Sequence, residues 1–517
     1  FDQDRSRMDL AGMIMLHGYS LSMVDHAGFQ VFVKNLQPLF EFNDFDAMEQ
    51  DCLSIYSKEK QKLYTRLNHL RGQINLSVGI WDSSEGSNFL YLTANYIDED
   101  WTLQKKLLKF TAIEPSETDN FHHGVVIKSL TDWGINGKLF SVTFDGCDAY
   151  EFMLSNIKNL LAQNRNLLLK SGELFDMRCV THLLKYMSQE VIELCREIIS
   201  KVRDIVRHTK SSISLLSQLT AIAGQVGING SRHLVLDFPK RWDSTYRMLE
   251  AAIDYRSVFS LLKDHDSSCY SKSLSETEWE LASSVTGFFR LIFEFRNIVV
   301  GNKHPSANIF FPEMCEMHLQ LIKWCKSPDD FLKSVALKMK YKFDRYWNKC
   351  SLVLAIATVL DPRFKMKLVE YYYQQIYGSC ASGPIVEVSS GLRKLFDEYY
   401  SVSSCDQVLR GSNHGFRDKL KGFDEFLSES SSQCHSISSS ELEKYLAESV
   451  FPRNNDFNIL NWWKVNTPRY PILSSMARDV LSISVSTAFE CEWGFRNSRS
   501  CLSPESREAL VCGQDWL

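Results

Sequence analysis

The hydrophobic positions change period along the chain, and each change predicts a different kind of element. Near the start, Leu10, Met13, Ile14, His17 and Leu21 fall three or four apart, and Phe29, Phe32, Val33 and Leu36 repeat the spacing. That is the interval at which a helix returns to one face, and Ser57 to Leu70 reads the same way. At Ile74 the period drops to two. Leu76, Val78 and Ile80 alternate with Asn75, Ser77, Gly79 and Trp81, which predicts a strand with an aliphatic face and a more polar one. Further strands are expected over Phe89 to Tyr96, Trp101 to Phe110, Lys138 to Phe144 and Met177 to Val180. Helices are expected over His123 to Trp133 and Asp148 to Leu169, giving the order β-β-β-α-β-α-β.

From about Val191 to Ser440 amphipathic helix dominates, as in Trp279 to Phe295 and Lys340 to Leu360. The chain then becomes densely aromatic. Phe457, Leu460, Trp463 and Val465 suit a short helix, and Pro471 suits the first turn of the next, whose stripe runs Leu473, Met476, Ala477, Val480, Leu481. Ser486 reads as the N-cap of a third helix carrying Glu490 and Glu492. Gly378 to Gly391 and the serine run from Ser428 to Ser440 read as flexible by composition, the second as a linker. These shifts divide the chain into 1–72, 73–190, 191–440 and 441–517.

Composition narrows the classes. A hydrophobic content of 44% with 23% charged residues fits a globular chain, and no apolar run approaches the length of a membrane span. Fourteen cysteines without C-x-x-C pairs point to reduced thiols, not a zinc ribbon or disulfide framework. The net charge of −5 gives no bulk attraction to nucleic acid, so any such surface must be a local basic patch.

The strand order is that of an RNase H-like sheet, in which acidic side chains at neighbouring strand ends can hold two divalent metals about 4 Å apart. The strand ending at Phe144 is followed by Asp145. Family-level detail comes from longer motifs: W-W-K-V-N-T-P-R-Y-P (Trp462 to Pro471), M-A-R-D-V-L, S-V-S-T-A-F-E, and F-P-K-R-W-D-S-T-Y-R-M-L (Phe238 to Leu249). Together these resemble hAT-superfamily transposases of the plant sleeper-like, zinc finger BED domain-containing class. The fold so implied is α/β plus all-α: an RNase H-like fold interrupted by a large helical insertion, with a C-terminal hAT dimerisation region.

The resemblance also implies roles. Asp145 and Glu492 match the second and third acids of the family's D-D-E triad, with Glu490 as the alternative third acid. Gly79 stands where the first acid belongs, and Asp82 could replace it only across a bulged strand. Trp242 matches a tryptophan that can stack on an extruded base, with Arg241 and Arg247 placed for phosphates; the alternative is an indole packed between helices. Cys179 and His182 match a C-x-x-H element read as structural, with no metal assigned. Trp462, Trp463, Tyr470 and Pro471 are expected at a self-complementary interface.

The resulting expectation is a transposase-derived nuclear protein, catalytically silent, that dimerises and binds DNA, with transcriptional regulation as its expected use. An active or recently inactivated transposase and a protein-interaction scaffold are the alternatives. No cofactor is expected: Mg²⁺ would matter only if catalysis survived, and zinc only in a BED-type finger upstream of Phe1. The partners are DNA and a second copy, with neither a membrane nor a small-molecule substrate.

Overall fold

The computed structural model describes residues 1–82, 87–113, 119–145, 155, 157, 176–227, 233–239, 241–265, 274–301, 307–410, 440–454, 456–487 and 502–517. Contacts group the chain into two compact units. One comprises Phe1–Cys179, Ser306–Phe311 and Cys350–Leu517, the other Val180–Pro305 and Pro312–Lys349.

The first unit is built on a five-stranded sheet in the order β3-β2-β1-β4-β5. Its strands are β1 (Ile74–Asp82), β2 (Asn88–Ile97), β3 (Leu103–Ile113), β4 (Leu139–Phe144) and β5 (Asp176–Arg178). The first three form an antiparallel meander, and β4 and β5 add in parallel beside β1. Helices α1 (Gln3–His17), α2 (Ala27–Leu36), α3 (Phe45–His69) and α4 (Asp119–Asp132) come from the same part of the chain. Asp2 and Asp44 cap α1 and α3 by accepting from backbone N–H groups, as the first turn of a helix requires.

Period-two alternation gives the sheet two faces. Leu76 and Val78, Leu90 and Leu92, and Val142 and Phe144 are buried with Leu63, Leu67, Val126, Leu130 and Trp133. On the other face, Phe89, Tyr91, Leu107 and Phe110 pack with α1, α3 and the C-terminal helix. The β1–β4 part of that second face is polar and still buried: Asn75, Ser77, Ser141, Thr143 and Asp145 are all at most 4% exposed. Buried polar groups at that density need partners, and the end of the chain supplies them.

The second unit contains α5 (Val180–Leu194), α6 (Arg196–Ser211), α7 (Ile213–Val226), α8 (Trp242–Asp254), α9 (Arg256–His265) and α10 (Glu276–Gly301). It also takes most of α11 (Ala307–Cys325) and of α12 (Asp330–Val359). The remaining described helices belong to the first unit: α13 (Lys365–Tyr377), α14 (Ser382–Arg410), α15 (Glu441–Ala447), α16 (Ile459–Asn466), α17 (Pro471–Leu481) and α18 (Pro504–Trp516). Among the described residues no helix is long and apolar enough to cross a membrane.

Several expectations are corrected. The helical unit starts at Val180, and residues 350–410 pack with the sheet unit, so the helical block expected over 191–440 is not one body. Gly378 to Gly391 is not flexible loop; after a short 3-10 turn it lies in α14, where Val388 and Leu392 are buried. The apolar stripe expected on α2 faces outward, with Phe32 and Leu36 exposed. Val465 of α16 is exposed too, although Trp463 is buried as its spacing suggested. Apart from Ser155 and Ile157, which are helical, the helix expected over Asp148 to Leu169 lies outside the described residues, as do the serine linker short of Ser440, Glu490 and Glu492; Ser486 itself is buried and not helical.

Candidate functional site

The polar face of β1 and β4 is closed by the segment that follows α17. Asn75 Nδ2 donates to the Asp479 carbonyl (3.0 Å) and to Ser482 Oγ (2.6 Å). Ser141 Oγ donates to Asn75 Oδ1 (2.5 Å), and Thr143 Oγ1 donates to the Ser484 carbonyl (2.7 Å). Asn95, opposite Asn75 on β2, donates to the Asn75 carbonyl and to Ser77 Oγ. Short polar side chains on alternate positions thus read the backbone of a partner some four hundred residues away. The network is satisfied, which rigidifies it.

At the C-terminal end of this face sits Asp145, 4% exposed. Its Oδ2 accepts from the Ile80 backbone N–H (3.0 Å), and its Oδ1 accepts from the Thr487 hydroxyl. Thr487 also brings Cys179 in: its N–H donates to Cys179 Sγ at 3.3 Å, and its Oγ1 lies 3.2 Å from the same sulfur. Cys179 is buried just after β5, and its backbone N–H donates to Phe144 O at 2.8 Å. Beside Asp145 stands Tyr91, directly opposite Gly79 in the β1–β2 ladder. The phenol donates to the Thr487 carbonyl at 2.6 Å. A Cβ at position 79 would overlap the Tyr91 Oη and Cζ and lie 3.0 Å from Asp145 Oδ2. Tyr91 therefore fills the volume that a side chain at 79 needs.

The β1–β2 pairing runs in regular register through Asp82 opposite Asn88, so no bulge carries position 82 to the place of position 79. This donor set does not fit a pair of divalent ions. One carboxylate is missing, its place is taken by a neutral phenol, and both oxygens of Asp145 are engaged by protein donors. The sequence alone had no signal for Tyr91, because its importance depends on pairing across two strands.

A second feature concerns how the C-terminal region is held. The turn after α12, where Asp361 and Pro362 read as a helix boundary, is also a cradle. Trp463 Nε1 donates to Leu360 O (3.0 Å), Tyr445 Oη to Val359 O (2.9 Å), and Phe451 N to Pro362 O (2.9 Å). Asp361, fully buried, accepts from Asn308 Nδ2 and from two nitrogens of Arg363, whose guanidinium covers the Phe457 ring. Lys365 takes a φ of +51°, unusual without glycine, and sends its ammonium to the carbonyls of Tyr445 and Glu448. Burial pushes that ammonium's pKa down.

This cradle encloses two residues of the expected interface set. Trp463 and Tyr470 are 0% and 1% exposed, so both lie inside the fold and present no surface to a second copy. Trp462 is half-buried and Pro471 exposed. On α17, Asp479 accepts from Gln73 N (2.8 Å) and from the Tyr399 hydroxyl. Burial raises its carboxyl to about 6.

In the helical unit, Arg241 is the N-cap of α8 and pairs with Asp243 at 2.8 Å. Trp242 opens that helix and is half-buried, its indole parallel to Phe289 at 6.5 Å and edge-on to Phe293. Arg247 is exposed, its guanidinium 5.7 Å from the Phe293 ring. So Trp242 packs between α8 and α10, and it also lines a cavity of about 960 Å³ with Lys185, Arg241, Arg296 and Lys342. His182 lies on the first turn of α5, near Tyr186.

Comparison with known proteins agrees with this architecture. Residues 77–174 match the ZBED1 RNase-like domain, 177–288 the ZBED1 RNase-like helical domain, and 308–399 the hAT-like transposase RNase-H fold. Residues 441–517 match the hAT family C-terminal dimerisation region. Over its whole length the chain is 35% identical to zinc finger BED domain-containing protein RICESLEEPER 1 of Oryza sativa subsp. japonica, covering 75% of that protein. It is 36% identical to zinc finger BED domain-containing protein DAYSLEEPER of Arabidopsis thaliana, covering 74%. The chain belongs to the sleeper-like, zinc finger BED domain-containing hAT family. The putative AC transposase of Zea mays is 29% identical over the full chain, covering 66% of that protein. The fold is thus the hAT RNase H-like domain with its helical domain and a C-terminal dimerisation region, and that region points to self-association.

Proposed function

We propose that this hAT-derived protein acts in the nucleus as a self-associating DNA-binding protein that no longer cuts DNA, with regulation of transcription as its use. The observation that carries the reading is the Tyr91 ring in the place of the first acid's side chain. In two-ion phosphodiester chemistry the metals hold the attacking and leaving oxygens, so a lost carboxylate removes transition-state stabilisation on the order of several kcal/mol. What remains is a scaffold: a rigid sheet, a C-terminal region held in a cradle, and a helical unit whose cavity rim carries Trp242 and several cations. Arg241, Trp242 and Arg247 supply phosphate contacts and one stacking surface, worth roughly 1–3 kcal/mol per base and tolerant of sequence. Binding through this rim is weak, salt-sensitive and poorly sequence-specific.

The test is light scattering together with a DNA anisotropy titration on the full chain at about 50 and about 200 mM salt. An oligomer that binds DNA, more tightly at the lower salt, supports the reading. A monomer, or a protein that leaves DNA free at both salts, overturns it.

A further inference from the structure

The chain carries 58 basic residues against 63 acidic ones, yet one stretch of α12 reverses that balance. Between residues 331 and 350 it holds Lys333, Lys338, Lys340, Lys342, Arg345 and Lys349 against the single carboxylate of Asp344. Asp344 pairs with Lys340 at 2.6 Å, and Lys342 reaches Glu190 at 3.2 Å. Lys338, Lys342, Arg345 and Lys349 are spaced four, three and four apart, which places them on one helix face. Lys338, Arg345 and Lys349 are exposed. Beside them Tyr341 is 62% exposed.

A solvated surface helix ordinarily interleaves opposite charges three or four residues apart, because like charges at that spacing are destabilising. Along α12 itself this face lacks that interleaving, although Glu190 of α5 meets Lys342 and Arg345 has a partner of its own, and it adds an exposed aromatic ring whose hydroxyl can reach a phosphate. The stripe is about 16 Å long at 1.5 Å per residue. One strand of duplex DNA presents about five phosphates over that distance, at 3.4 Å each. Lys342 continues it towards the cavity that Lys185 and Arg296 also line.

We propose that the Lys338–Lys342–Arg345–Lys349 face, with Tyr341, is a contact site for the phosphate backbone of duplex DNA, which adjoins the Trp242 rim through Lys342 but uses cations beyond Arg241 and Arg247. The proposal rests on the reading of this protein as a DNA binder and assigns most of the sequence-independent affinity to this face. It supplies the local basic patch that an acidic chain needs.

The experiment compares four forms of the full chain on a mixed-sequence fluorescent duplex at about 50 and about 200 mM salt. These are wild type, Lys338→Gln/Arg345→Gln/Lys349→Gln, Trp242→Ala, and a charge-matched control, Lys58→Gln/Lys394→Gln/Lys444→Gln, whose three lysines are also exposed. Unchanged melting curves establish that the variants fold. The stripe variant is expected to bind roughly tenfold or more weakly at the lower salt, with a log–log salt slope shallower by about three, and the control to match wild type. A stripe variant that loses no more than the control overturns the proposal while leaving DNA binding intact. Wild type that does not bind the duplex overturns both readings. Displacement of the duplex by polyglutamate at equal charge concentration would show a generic polyanion face and overturn the assignment to DNA.

Discussion

Gly79 of β1 and Tyr91 of β2 stand opposite each other, and the Tyr91 phenol fills the space that a side chain at position 79 would occupy. The pair is mutually dependent: the ring needs a neighbour without a Cβ, and the strand tolerates glycine because the ring packs against it. Glycine in a strand interior ordinarily weakens it, and close approach by another group is a standing reason to keep one.

That dependence is measurable. Gly79→Ala should destabilise the protein by about 1–3 kcal/mol through overpacking. In a Tyr91→Ala background the same change should cost much less, giving a coupling of at least about 0.5 kcal/mol in a double-mutant cycle read from urea melts. Additive effects would mean that the two side chains do not share the space.

Asp479 provides a pH signature. Burial raises its carboxyl to about 6 in the folded chain, above the ordinary value of 3.8, while the Tyr399 hydroxyl and Gln73 N–H pull the other way. The folded state therefore holds this proton more tightly than the unfolded state does. Its stabilising contribution is complete below the unfolded value and is lost as pH rises through about 6. The shift of about two units corresponds to roughly 3 kcal/mol at most. Asp479→Asn can still accept from Gln73 N–H and can donate to the Tyr399 oxygen. It should equal or exceed wild-type stability at pH 7.5, with a flatter stability profile between pH 4 and 6. A variant less stable than wild type at pH 7.5 would contradict this.

The C-terminal tryptophans should separate by role. Trp463→Ala removes a buried indole and its hydrogen bond to Leu360 O, and should lower stability by about 3–5 kcal/mol whatever the protein concentration. Trp462→Ala, at a half-buried position, should cost less stability and shift the oligomer equilibrium, checked by light scattering beside thermal melting. If Trp463→Ala melts like wild type, the cradle is not what holds this region.

Much of the sheet was readable because period-two alternation is local. It gave β1 nearly residue for residue, located Asp145 past the end of β4, and separated the polar face from the aliphatic one. The buried stripe of α17 was legible for the same reason. What the pattern could not reveal depends on distant partners. Tyr91 looks like an ordinary aromatic strand residue until the ladder sets it against Gly79. The turn at Leu360 to Lys365 reads as a helix boundary until Trp463, Tyr445 and Phe451 are found donating to it. Small residues made Gly378 to Gly391 look like loop, yet Val388 and Leu392 pack in the interior and hold it helical. Burial by tertiary contacts there outweighs weak propensity.

No metal-dependent cleavage is expected where Gly79 stands in the first acid's place and the Tyr91 ring fills the space beside it. The most direct measurement incubates the full chain with duplexes bearing candidate transposon ends, in Mg²⁺ and in Mn²⁺, beside an Asp145→Ala control, and resolves the products on a denaturing gel. Both proteins are expected to leave the same uncut pattern. Specific nicks or joined ends from the wild type above that control would contradict it.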